Sequence, residues 1–481
     1  MVQYNLGGAA SGHENTGKPR QGSDDEDPLV GSHCWLKVAD DDEWVLSRVE
    51  QHWAGKVHLM RQRAPKGVPL KAELTDAEFA KMPTALDSML ATGDELTGDL
   101  VELEDVTEYT MLHTLRERYE QDLIYTAIGP VLVSINPYKA VNTCSPDALE
   151  KMSKMDPDDL PPHVFTLAAA AYSGLVDNGE AQSIMISGES GAGKTETTKL
   201  CLNALALASN SSGAKTTQKA LESGVLLESF GNAKTVYNNN SSRFGKWCAV
   251  YFNEGGKMGG CQMETYLLEQ SRVVAPPPGE RNYHIFYHIL EGASKEERAL
   301  YKIGESNNEY AYTQGEAKSA GIDDKASWAE AKRQLELLGF SQVQQKTLYT
   351  LLSAVLALGN VKFSGKGEDE NCVPEVAALG LVAELLQVEP TALAKVLTTR
   401  MVNVSNERIT VLLRPDQCKD TRDAISKALY SSLFDHIVAK VNASLLDGKM
   451  EEGRYIGLLD VFGFENFKMN SFEQLCINFT N

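Results

Sequence analysis

The sequence predicts an α/β fold: a mixed central sheet flanked by helices and preceded by a small β-barrel. Three observations carry that expectation. An apolar run, Ser183-Ile-Met-Ile-Ser187, leads into a glycine-rich loop and then a helical stretch. A second apolar run, Tyr455-Ile-Gly-Leu-Leu459, ends on Asp460. Near the N-terminus, short segments rich in aromatic and β-branched residues alternate with turn residues, as in a small antiparallel sheet.

Residues 1–28 are rich in Gly, Ser and charge and contain Asp24-Asp-Glu-Asp27. Such a stretch buries too little apolar surface to fold and is expected to be disordered. Residues 29–75 are expected to form the small β-barrel. Its strands are Cys34–Val38, Glu43–Leu46 and Lys56–Met60, with turns at Asp40–Asp42 and Ala54–Gly55. A hairpin extension of the main domain is the alternative reading of so few strands. Residues 76–481 form the main body.

Within the body, Glu108–Tyr119 reads as a helix, with Leu112 and Leu115 on one face. Ile124–Thr126 and Val131–Ile135 read as strands, and Val164–Val176 as a helix. Thr195–Ala208 reads as a helix following the glycine loop. Ser209–Gly213 reads as a short flexible loop. Lys246–Phe252 and Cys261–Leu267, separated by Glu254-Gly-Gly256, read as a hairpin of the central sheet. From Arg281 to Leu446 the pattern is mainly helical. Gln345–Leu358 is the clearest case, with Leu348, Leu351, Leu352, Val355 and Leu358 at core spacing and Gly359 as its stop. Asn403–Asp420 lacks helical periodicity and is broken by Pro415. Residues 400–422 are therefore expected to form a surface loop leading into a helix at Asp423. Ser471-Phe-Glu-Gln474 is a capping box that opens a last helix.

The glycine loop carries the chemistry. Its spacing, Gly188-x-x-x-x-Gly193-Lys194-Thr195, is that of a triphosphate-binding loop. Gly188, Gly191 and Gly193 permit backbone conformations in which successive N–H groups converge on phosphate oxygens. Lys194 supplies a mobile positive charge for the β- and γ-phosphates. The Thr195 hydroxyl is a small oxygen donor of the kind Mg²⁺ takes. Strand, glycine loop and helix N-terminus together are the context this motif needs. The main body is thus predicted to be a P-loop NTPase. Asp460, at the C-terminal end of its strand, stands where a carboxylate would hold Mg²⁺ directly or through water. A strand-end turn residue is the other reading of that aspartate.

Composition narrows the function. The 481 residues carry 66 acidic and 46 basic side chains, a net charge of −20. That balance argues against a general nucleic-acid binder, which needs a basic surface. Eight cysteines are scattered without a Cys-x-x-Cys pair, so neither a zinc site nor a disulfide framework is indicated. No apolar run is long enough to span a bilayer, and no signal peptide is evident. A cytoplasmic protein is expected.

Two further segments match the phosphate loop. They are Asn238-Asn-Asn-Ser-Ser-Arg-Phe-Gly-Lys246 and Asp460-Val-Phe-Gly-Phe-Glu465. With Asn136-Pro-Tyr-Lys139, Leu227–Thr235, Arg281–Phe286 and Leu358-Gly-Asn360, they closely resemble the myosin motor head. Kinesins share Ser-Ser-Arg but follow it with Ser-His, and their second switch reads Asp-Leu-Ala-Gly. The resemblance runs from about Leu29 to the last residue.

The resemblance implies an ATPase that uses ATP and Mg²⁺ and moves on actin filaments in the cytoplasmic cytoskeleton. Thr195 and Ser242 would be hydroxyl ligands of Mg²⁺, with Asp460 as the acidic partner. Residues 188–195 (Gly188, Glu189, Ser190, Gly191, Ala192, Gly193, Lys194 and Thr195) would cradle the phosphates. Asn238 would bridge them, and Asn136, Pro137, Tyr138 and Lys139 would border the nucleotide. Ser190 and Ser241 would help position the attacking water, and the Gly463 N–H would touch the γ-phosphate. Arg243 and Glu465 would form the ion pair that closes over it.

One departure matters. Cys144 stands where many myosins place an aromatic residue against adenine. Base stacking is worth roughly 1–3 kcal/mol elsewhere, so base selectivity is expected to be looser than triphosphate binding. Counting sixteen residues back from Asp423 reaches Glu407. There the family places a fixed acid or a phosphorylatable residue that controls actin affinity. In the family the last helix relays the nucleotide state to a converter and a light-chain-binding lever. This chain is therefore expected to be the N-terminal part of a head, 76–481 being a partial motor domain, with light chains bound only through segments beyond it. A small-molecule kinase and a non-catalytic head fragment are the rival readings.

Overall fold

The computed structural model describes residues 27–38, 43–64, 68–85, 96–156, 159–211, 215–315, 318–365, 372–404, 407–446, 454–466 and 470–480. The chain divides into two compact units, residues 1–134 and 135–481.

The first unit holds a four-stranded antiparallel meander, β1 (His33–Val38), β2 (Glu43–Trp53), β3 (Lys56–Arg61) and β4 (Lys71–Thr75), in the order β1-β2-β3-β4. Alternate residues turn inward: Cys34, Leu36, Val49, Val57 and Leu59 pack with Ala72, Leu74 and Phe79. This curled sheet with its own core is the small β-barrel expected, and it is more than a hairpin. The disordered segment expected over 1–28 lies outside the described residues, except at its end. There the Asp27 carboxylate meets His52 Nδ1 at 2.7 Å and accepts the Leu29 N–H.

Helix α1 (Glu108–Glu120) opens on a Thr107–Thr110 capping box. Its buried face differs from the one expected. Leu112 is exposed, while Thr110, Thr114 and Arg118 are buried. Thr110 donates to Asp105 O and Thr107 O, and Thr114 to Thr110 O, while Arg118 faces inward because the neighbouring hairpin, β5 (Tyr125–Ile128) with β6 (Val131–Ser134), offers it partners. Arg118 donates to Thr126 Oγ1, Tyr125 O and Thr97 O. Leu115 does pack, against the Trp35 cluster.

The second unit is built on a mixed sheet. Its strands are β7 (Gln182–Ile186), β8 (Gly245–Phe252), β9 (Met258–Tyr266) and β12 (Tyr455–Asp460), in the order β9-β8-β12-β7. The β8–β9 and β8–β12 pairs are antiparallel, whereas β12 and β7 run parallel. In that register Asp460 lies opposite both Ile186 and Lys246. The C-terminal ends of β7 and β12 are therefore neighbours, and the loops that leave them share one edge of the sheet.

Helices α2 (Val164–Asn178), α3 (Lys194–Ala208) and α4 (Lys215–Gly231) pack around this sheet. Beyond it lie α5 (His284–Gly292), α6 (Asp324–Leu337), α7 (Gln342–Gly359), α8 (Val376–Leu386) and α9 (Pro390–Thr398). Helix α7 has its expected core face, although Leu351 is only half-buried and Asn360 is the cap. Helix α10 (Pro415–Leu445) ties the helical layer to the sheet. Tyr430 stacks on Tyr283 at 4.9 Å and donates to Phe230 O. Asn442 makes a two-way amide contact with the Met263 backbone of β9. Among the described residues, no single helix is long and apolar enough to cross a membrane.

Two further sequence expectations need correction. The surface loop expected over 400–422 is instead a hairpin, β10 (Thr399–Val404) with β11 (Glu407–Leu412), followed at once by α10. Pro415 occupies the first turn of α10, where its fixed φ and missing N–H suit a helix start. Arg422 is buried, donating to Gly359 O and Val361 O. Glu407 opens β11, paired in register with Val404. Ser209–Gly213 is not simply a flexible loop: Ser209 and Ser211 are buried, and the Ser211 hydroxyl accepts the Met258 N–H. Residues 212 and 213 lie outside the described residues.

Candidate active site

The phosphate loop leaves the end of β7 and enters α3 directly. Gly188, Gly191 and Gly193 have φ of 148°, 89° and 96°, a region that side chains strongly disfavour. Lys194 Nζ lies within the loop, donating to the carbonyls of Gly188 and Glu189 at 2.8 Å each. Burial lowers its pKa, while the charges of Asp460, Glu465 and Glu189 act to raise it. Asn136 pins the loop from outside through a 2.7 Å bond from Nδ2 to Gly191 O.

Asp460 and Thr195 meet across the parallel strand ends, with Thr195 Oγ1 donating to Asp460 Oδ2 at 3.3 Å. Burial raises the Asp460 pKa, against the pull of Lys246, Lys194 and the Thr195 hydroxyl. A buried carboxylate beside a hydroxyl is a hard-oxygen pair that favours a small divalent cation. Ser242, the other expected hydroxyl, lines the same cavity. Among the described residues no three His, Cys, Asp or Glu side chains converge as a metal site. Thr195, Ser242 and Asp460 are hard-oxygen donors that would fit Mg²⁺ together with phosphate oxygens and water.

The two switch segments close against each other and against the loop. Arg243 and Glu465 are both buried and joined by two parallel bonds, Nη1 to Oε1 at 2.5 Å and Nη2 to Oε2 at 3.0 Å. Arg243 Nη1 also donates to Ser241 Oγ at 3.2 Å, and Ser241 Oγ lies 3.1 Å from Ser190 Oγ. A Cβ on Gly463 would fall 2.4 Å from Gly188 O and 2.5 Å from Ser190 N. Only a residue without a side chain lets the second switch approach the loop this closely.

Several residues of this arrangement were not found from the sequence. Arg243 Nε donates to Glu269, which also accepts from Arg272, and Arg272 continues to Glu280. Burial alone would lower the Arg243 pKa and raise that of Glu269. The opposite charges overcome it in both, so each stays ionised. Glu465 is also gripped by α11 (Phe472–Thr480). Asn478 brackets its backbone, accepting from Glu465 N and donating to Glu465 O, while Gln474 donates to its carboxylate. Glu269 follows Leu267-Leu268 just past the end of β9, and no local spacing links it to Arg243. The Gln474 contact had a partial signal, since Gln474 was already the last member of the capping box.

These pieces line one cavity of about 300 Å³. Of the expected residues, Asn136, Tyr138, Ser190, Gly191, Gly193, Lys194, Thr195, Asn238, Ser241, Ser242, Gly463 and Glu465 border it. Gly188 and Glu189 reach it through their contacts with Lys194, and Arg243 stands behind Glu465. Asp460 lies beneath Thr195. Among the described residues Ala192, Pro137, Lys139 and Cys144 do not line it. Cys144 instead sits 4.0 Å from Nε2 of the buried His163, whose pKa burial lowers to about 4.

Residues 97–481 match the family model described as the myosin head (motor domain). The chain is 41% identical to unconventional myosin heavy chain 6 of Caenorhabditis elegans, over 80% of this chain and 18% of that protein. It is 38% identical to myosin-5 of Arabidopsis thaliana, over 94% of this chain and 29% of that one. It is 41% identical to the myosin IA heavy chain of Dictyostelium discoideum, over 80% and 39%. The chain thus spans well under half the length of these relatives.

Proposed function

This chain belongs to the myosin head family, and on that premise we propose that it binds and hydrolyses Mg·ATP as the nucleotide-reading part of an actin-based motor of the cytoskeleton. The buried two-bond pair between Arg243 and Glu465, set against the phosphate loop, carries the reading. A site that only held nucleotide, or passed phosphate to a small acceptor, would need no ion pair joining two distant segments over the γ-phosphate position.

Each residue takes a role by its place. The loop N–H groups and Lys194 bind the phosphates, and Asn238 braces them from the first switch. Thr195, Ser242 and Asp460 would hold Mg²⁺, which supplies charge neutralisation at the β- and γ-oxygens. The Ser190 and Ser241 hydroxyls, already in contact, orient the attacking water. Arg243 and Glu465 shut the cavity against bulk solvent. Catalysis then rests on positioning and electrostatic stabilisation, with no covalent intermediate. Gly463 and the Glu465–Asn478 contacts carry the state of the γ-phosphate into α11.

Actin enters through the paired strands β10 and β11, with Glu407 setting their charge. A permanent carboxylate needs no kinase, so the motor works without phosphorylation at that position. Steady-state ATPase of the full-length protein, with and without actin filaments, tests both claims. Acceleration by actin is expected, and its absence removes the motor reading. Glu407→Ala should lose much of the acceleration while keeping its basal rate. Equal acceleration in the two proteins rules out Glu407 as the control position.

A further inference from the structure

The cavity that the phosphate loop borders is also lined by an exposed side chain that no motif accounted for. Tyr237 lines the cavity and is 66% exposed. It stands at the tip of a tight turn. Thr235 N donates to Asn238 O at 2.8 Å, and Asn238 N donates to Thr235 Oγ1 at 3.1 Å. The turn is anchored on both flanks: Lys234 Nζ donates to Gly279 O, and Val236 N donates to Glu280 Oε1. An aromatic ring held on a braced turn beside a phosphate site loses little freedom when it is covered. Asn238, the next residue, borders the same cavity from the first switch. Tyr138 also lines the cavity and is 84% exposed, its N–H bound to Asn136 Oδ1. Cys144 is turned toward His163 and supplies no wall.

We propose that Tyr237 is the base-stacking, specificity-setting residue of this site, its ring covering the face of the base of the bound nucleoside triphosphate. The inference rests on the nucleotide-site reading above and names the group that holds the base. Stacking uses the π-face that every base has, so recognition through Tyr237 tolerates other purines. The same turn touches Glu280, which is linked through Arg272 and Glu269 to Arg243. The base and the γ-phosphate switch therefore lean on one connected set of buried ion pairs.

The test compares ATP with inorganic tripolyphosphate, which has the phosphates and no base. Affinities are measured by competition against a fluorescent ATP analogue in the wild type, Tyr237→Ala and Tyr237→Phe. Tyr237→Ala should bind ATP about tenfold more weakly, within the range for loss of one stacked base. Its tripolyphosphate affinity should be unchanged, and Tyr237→Phe should match the wild type with both ligands. Unchanged ATP affinity in Tyr237→Ala overturns the proposal. An equal loss for both ligands also overturns it, because Tyr237 would then act on the phosphate end. A wild type that binds neither ligand overturns the nucleotide-site reading itself, and the proposal with it.

Discussion

Lys194→Ala is expected to abolish measurable triphosphate binding. Among the described residues lining the cavity, Lys194 carries the one cationic side chain, against Glu196, Glu228 and Glu465. Glu196 and Glu228 are paired to Lys199 and Glu465 to Arg243, so removing Lys194 leaves the described lining with no cation to face a ligand of several negative charges. One charge pair at 4 Å in an effective dielectric of 20 is worth roughly 4 kcal/mol, or about a thousandfold in affinity. Two loop carbonyls also lose their donor, so the loop should be less well ordered. Titration with a fluorescent ATP analogue reads the loss. Normal affinity in the variant would show that the phosphates bind elsewhere.

Arg243→Glu and Glu465→Arg should each stop hydrolysis, and the double reversal should restore it only in part. Removing one partner of a buried pair leaves an uncompensated charge, at a cost of about 3–5 kcal/mol. The reversals are unequal because Arg243 also serves Glu269. Arg243→Glu sets three buried carboxylates together, whereas Glu465→Arg adds a third guanidinium, beside Arg243 and Arg272, to a site that already holds Glu269 and Glu280. In the double variant the exchanged side chains can pair again, but the carboxylate placed at position 243 still faces Glu269. Recovery is therefore incomplete, and Glu465→Arg should be the better folded single variant. Single-turnover rates around the double-mutant cycle give the coupling, with thermal melting to follow folding. Zero coupling between the two positions would show that they act separately.

How much was legible depended on how local each signal was. The phosphate loop, its flanking strand and helix, and Asp460 at its strand end could all be read, because each motif is a contiguous run whose residue types have physical jobs. The sheet order could not, since β8, β12 and β7 come from distant segments of the chain and only their pairing makes them neighbours. Glu269 was missed for the same reason. The hairpin at 399–412 was a different kind of miss. Val402, Val404, Ile409 and Val411 are strand-favouring residues, but scattered arginines and Pro415 drew the reading toward a loop. Pro415 was read as a break in the pattern when it was the first turn of α10. The Leu112 face of α1 failed because apolar spacing outweighed Arg118, whose guanidinium is satisfied by the adjoining hairpin.

On the proposed function, one cavity holds Mg·ATP and cleaves it when the segments carrying Arg243 and Glu465 close. Mixing this chain with a substoichiometric amount of labelled ATP and Mg²⁺, then quenching with acid, reads the chemistry directly. Bound ATP should be converted to ADP and phosphate within a single turnover, and that conversion should be lost in Glu465→Arg. Bound ATP recovered intact from the wild-type chain would contradict it.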